Sequence, residues 1–94
     1  MFSRSDYVMR LVKQLAEVIA RSLKLRVEGE REKSRQVLVD ACDELFGVEH
    51  RVLDMLDAKS AASLLGEKSR VDAYAQLVDA MGDSSRANEL RSVR

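Results

Sequence analysis

Ninety-four residues, 46% hydrophobic and 34% charged, describe one globular domain over 1–94 with a thin core, because a chain this short buries only roughly 60–65% of the surface that it exposes unfolded. Sixteen basic and sixteen acidic side chains cancel, which removes a whole-chain attraction to nucleic acid, and a lone cysteine, Cys42, cannot close an internal disulfide. No apolar run approaches the ~20 residues of a membrane span and no apolar leader opens the chain, so a cytoplasmic protein with no membrane partner is expected.

The first helix opens on Ser3 and Asp6, spaced as a capping box, with Phe2 and Tyr7 placed to staple the entry. Val8, Leu11, Val12, Leu15, Ile19 and Leu23 repeat at three- and four-residue steps as its core stripe, and Val18 and Leu25 lie beside that stripe and widen it. Lys24 and Arg26 suit the negative end of the dipole before Gly29 stops the helix. Glu30 and Glu32 open a second helix whose apolar face is Val37, Leu38, Ala41, Cys42, Leu45 and Phe46, closed by Gly47. Two short helices follow, Glu49 to Leu56 and Ala58 to Leu65, the latter capped by Asp57 and ended by Gly66. A fifth, from Glu67 or Arg70 to Met81, carries Val71, Tyr74, Ala75, Val78 and Met81, with Ser69 and Asp72 as a second capping box. The last runs from Ser84 or Ser85 to Ser92 on only Ala87, Leu90 and Val93, and is expected to fray. The fold class is all-α, five to six helices in a short array or bundle.

Gly29-Glu30 and Gly82-Asp83 each precede a helix, and a tight Gly-acid turn between antiparallel helices resembles the turn of tetratricopeptide repeats. Counted from Gly82, Val71, Tyr74, Ala75, Val78 and Ala87 match that pattern. Counted from Gly29, Leu38, Ala41 and Cys42 match, whereas Arg21, Ser22 and Ser34 depart from it. A bundle with glycine caps remains the alternative. The string Asp6-Tyr7-Val8-Met9-Arg10-Leu11-Val12-Lys13-Gln14, the Gly29 turn and the leucine-rich middle also resemble a bacterial family of short helical proteins of unknown function that end in a tetratricopeptide-like unit. That resemblance implies the fold and a bacterial cytoplasm, and brings no activity.

His50 and Asp54, four apart with Glu49 and Asp57 nearby, are the nearest approach to a metal site. Too few ligands converge, so a solvated helix surface is expected there. Cys42, aligned with Leu38 and Leu45 beside Asp43, reads as a small core residue rather than a nucleophile. No separated carboxylate pair marks acid–base hydrolysis, so no catalytic, cofactor or metal residue is assigned and no enzyme is expected. Residues 1–35 carry nine basic and five acidic side chains (+4), residues 36–57 one basic and six acidic (−5), and the remainder +1. The first two segments can dock within one molecule or head-to-tail between two. Arg10, Lys13, Arg21 and Lys24 can track phosphates, but Glu17 interrupts them and no aromatic is interleaved, so nucleic acid stays the alternative partner.

The expected role is a protein-interaction or assembly module. The wide first-helix stripe, through Val18 and Leu25, predicts a homodimer. In tetratricopeptide domains the exposed side of each repeat's first helix lines the ligand groove. Here that side presents Ser69, Asp72, Gln76 and Asp79, which favours a basic or apolar helical segment over an acidic peptide end.

Overall fold

In the computed structural model, which describes residues 4–93, four of the five helix breaks sit on a glycine. The elements are α1 (Arg4–Val27), α2 (Arg31–Phe46), α3 (His50–Asp54), α4 (Ala58–Leu65), α5 (Lys68–Ala80) and α6 (Ser84–Ser92), with no strand among the described residues. Two of the breaks are the same turn. At Gly29 (φ 84°) the Glu30 N–H donates to Leu25 O and the Gly29 N–H to Arg26 O. At Gly82 (φ 98°) the Asp83 N–H donates to Val78 O and the Gly82 N–H to Asp79 O. Both satisfy helix-end carbonyls through a left-handed residue, a conformation that a Cβ would strain. The break between α3 and α4 uses a side chain instead: Asp57 Oδ1 accepts from the Ser60 N–H at 2.7 Å, which holds its carboxyl below the usual range.

These turns fold the chain into two helical hairpins, α1–α2 and α5–α6, joined by α3 and α4 in a slab of 37 × 33 × 19 Å. Its thin dimension is two helix diameters of about 10 Å. The hairpins carry small residues at matching places, seven before and five after the glycine: Ser22 and Ser34 in the first, Ala75 and Ala87 in the second, all buried. Small side chains let the backbones approach near the turn. In the first hairpin the Ser34 hydroxyl donates to Ser22 O at 2.8 Å, so the Ser22 hydroxyl donates to Ser34 Oγ, also at 2.8 Å. The serines therefore occupy the small-residue positions with their polarity satisfied.

α5 lies between the other elements. Val71, Ala73, Tyr74, Ala75, Leu77 and Val78 are all buried, which adds Ala73 and Leu77 to the expected stripe. Three arginines then tie separate elements together by donating to carbonyls at helix ends. Arg26 donates to Ala80 O at 2.7 Å, Arg70 to Phe46 O, and Arg86 to Leu53 O at 3.0 Å and Leu56 O at 2.6 Å. Terminal carbonyls lack intrahelical partners, and cations suit that end of the dipole.

Several expectations change. The Ser3 capping box and Phe2 staple fall on residues outside those described. Ser69 caps nothing: α5 begins after Glu67, Ser69 Oγ is buried without a partner, and Asp72 binds Lys68 at 3.3 Å instead. The α6 helix is not loose. Asp83 caps it through the Arg86 N–H, Ala87 and Leu90 are fully buried, and the Arg86 side chain anchors it to α3.

Candidate interaction surface

Successive residues on a helix step by about 100°, and on α1 that step separates three faces. Leu11, Leu15, Val18 and Ser22 are buried and form the core face, with Leu25 half-buried at its edge. Val18, 8% exposed, is buried at the edge of that face beside α2. It therefore cannot form the free flank on which a dimer was expected; its side chain is already spent on the core, as most of Leu25 is.

A second apolar arc lies about 130° round the helix from the core face. It consists of Met9, Val12, Ala16, Ala20, Leu23 and Val27, all exposed. Met9 is 68%, Val12 56%, Leu23 47% and Val27 87% exposed, large values for side chains of this size. Val12 and Leu23 belong here and not to the core stripe. The third face holds Arg10, Lys13, Glu17, Arg21, Lys24 and Glu28. A monomeric domain seldom leaves an apolar stripe along a whole helix open to water.

Two rims bound this stripe. Lys13 and Lys24 follow it on the side of the charged face. On the other side Arg26 reaches Ala80 O, which places α5 there with its C-terminal end level with that of α1. The exposed row of α5 is Asp72, Gln76 and Asp79, spaced four and three apart. Asp72 meets Lys68 at 3.3 Å, while Asp79 accepts from Ser84 Oγ at 2.9 Å and lies 3.8 Å from Arg91. These pairs are solvent-exposed and individually weak. The stripe thus has a lysine rim and, on the side of α5, a rim whose aspartates Asp72 and Asp79 are already paired with Lys68 and with Arg91 of α6.

Comparison with protein-family models, with curated proteins and with solved structures finds no match to this chain.

The remaining polar clusters are internal. His50 turns inward rather than lying on a solvated surface: it is buried, and its Nδ1 lies 2.9 Å from the Tyr74 hydroxyl. Burial lowers its pKa, opposed by Asp54 and reinforced by Arg35 and Arg86. Phe46 packs edge-on against the Tyr74 ring, with centroids 5.9 Å apart. Burial raises the Tyr74 hydroxyl above its ordinary range. Beside His50 a cleft of about 250 Å³ is lined by Arg35, Asp54, Met81 and Asp83. Among the described residues no three His, Cys, Asp or Glu side chains converge as a metal-ligand set. Cys42 is fully buried with Sγ 3.4 Å from Val48 O, and burial together with Asp43 pushes its thiol up to about 12, where little thiolate forms. Between α1 and α2 a second cleft, of about 310 Å³, brings Arg21 of the basic segment and Glu44 of the acidic one to the same walls.

No described helix is long and apolar enough to cross a membrane. Met9, Ala16, Ala20 and Val27 are the surface residues that a single-stripe interpretation passes over. Their signal was present as a second three-and-four periodicity, blended with the first because Ile19 lies between the two arcs and Val12 and Leu23 stand on the near edge of the second.

Proposed function

We propose that this chain is a protein-interaction or assembly module whose contact surface is the outer face of α1. The observation that carries the reading is the exposed apolar stripe from Met9 to Val27, on a helix whose opposite face already completes the core. The repeated Gly-acid turn and the matched small pairs support a partly tetratricopeptide-like array, in which α1 and α5 are the first helices of the two units and present their outer sides to a ligand. With apolar side chains on α1 and Asp72, Gln76 and Asp79 on α5, the ligand this groove favours is an apolar, basic helical segment. A bacterial, cytoplasmic setting belongs to the same proposal, and the reading assigns no catalysis.

The alternative, a nucleic-acid-associated protein using Arg10, Lys13, Arg21 and Lys24, gains no support from a face in which Glu17 and Glu28 alternate with those cations. The two readings separate on one substitution. Ala16→Glu places a carboxylate in the stripe and is expected to abolish polypeptide binding at physiological salt without lowering helicity. Binding to DNA or RNA that vanishes between low and physiological salt, and is indifferent to Ala16→Glu, would overturn the proposal.

A further inference from the structure

We infer that the occupant of the α1 face is the α1 face of a second copy, in a parallel pair about a two-fold axis that runs along the stripe. This deepens the interaction reading and rests on it. A two-fold interface must be self-complementary, each patch meeting its own image. A rotation about an axis parallel to α1 lays Met9, Ala16 and Leu23 on the same residues of the partner, at the seven-residue spacing that coiled-coil seams use.

The rims decide the orientation. Rotation about that axis exchanges the two sides of the stripe, so the lysine rim of one copy meets the aspartate rim of the other. The Arg26 bond to Ala80 O puts Asp79 level with Lys24, and Asp72 falls between the levels of Lys13 and Lys24. Each copy thus sets Lys24 against the other copy's Asp79, with Lys13 reaching towards Asp72. An antiparallel pair centred on the stripe keeps like rims together and opposes Lys13 to Lys24, so charge selects the parallel pairing. The second copy also supplies the ligand the groove favours, because α1 is itself an apolar helix edged with lysines. Ala16 and Ala20 at the middle of the stripe let the two helices approach closely.

The test is sedimentation of the full chain at micromolar concentration together with a cross-link. A dimer is expected, weakened about a hundredfold by Ala16→Glu, which would bury an unpaired charge. Lys24→Glu and Asp79→Lys are each expected to weaken it about tenfold, and the double variant to recover most of the loss. Ala16→Cys is expected to form an intermolecular disulfide on oxidation, since each residue meets its own copy on the axis, while the buried Cys42 stays unlabelled. A dimer whose charge variants are purely additive overturns the parallel pairing. So does a dimer in which Ala16→Cys copies fail to link to one another yet link to Ala20→Cys copies. A monomer that binds a foreign polypeptide through this face overturns the second-copy assignment and leaves the interaction reading standing. A monomer that binds no polypeptide through it overturns both.

Discussion

Ser22 and Ser34 are not equivalent, although they share one hydrogen-bonded cluster. Ser34→Ala removes both the acceptor of the Ser22 hydroxyl and the donor to Ser22 O, leaving a buried hydroxyl unsatisfied at a cost of about 1–3 kcal/mol. Ser22→Ala leaves the Ser34 hydroxyl still bonded to Ser22 O and is expected to cost less. The double variant, which copies the Ala75–Ala87 pair of the other hairpin, is expected to return close to wild type. Urea unfolding of the three variants checks that order, and a double variant worse than Ser34→Ala would contradict the account of the pair. His50 makes a second residue-scale prediction. Burial holds the ring neutral in the fold below its ordinary pKa of 6.5, so the unfolded chain takes up a proton that the folded chain resists. Its contribution to stability is complete above pH 6.5 and declines as pH falls below that value. This is the only histidine, so the decline between about pH 7 and 5 should largely disappear in His50→Gln. Stability that rises as wild type is acidified through that window would refute the assignment.

At the scale of elements, α6 contributes more than its three apolar anchors suggest. Deleting residues from Ser84 onward removes the cover of Ala87 and Leu90 over α5 and the Arg86 bonds to Leu53 O and Leu56 O. Leu38→Ala, at a fully buried site in α2, is expected to cost about 2–5 kcal/mol. Loss of α6 is expected to lower the melting temperature further than that, reversing the order a fraying helix implies; a truncated chain more stable than Leu38→Ala would show α6 to be an appendage. Helix limits were largely legible in the sequence because backbone rules set them locally. The glycines at 29, 47, 66 and 82 and the carboxylate of Asp57 mark stops and starts that need no tertiary partner. The expected capping box at Ser69 failed because Lys68 competes for Asp72 and α5 starts two residues earlier. The arginine bonds to Phe46 O, Ala80 O and Leu56 O join residues 24 to 54 positions apart, and a chain read in one dimension gives no hint of them.

For the whole molecule, the informative difference lies in which way α1 faces. Its 24 residues carry two apolar arcs, and periodicity alone marks both as candidate core. The six-helix, all-α architecture was legible; the assignment of Val18 to the core and of Val12 and Leu23 to solvent was not, because it depends on where α2 and α5 dock. The two faces of one helix then have separate tasks, folding on one and association on the other. Denaturant unfolding of Leu15→Ala and Leu23→Ser, followed from dilute to concentrated protein, tests that division directly. Leu15→Ala is expected to lose about 2–5 kcal/mol at every concentration. In the dilute limit Leu23→Ser is expected to stay within about 0.5 kcal/mol of wild type, while losing the rise of the midpoint with concentration that association confers. A dilute-limit loss for Leu23→Ser as large as that for Leu15→Ala would contradict the account.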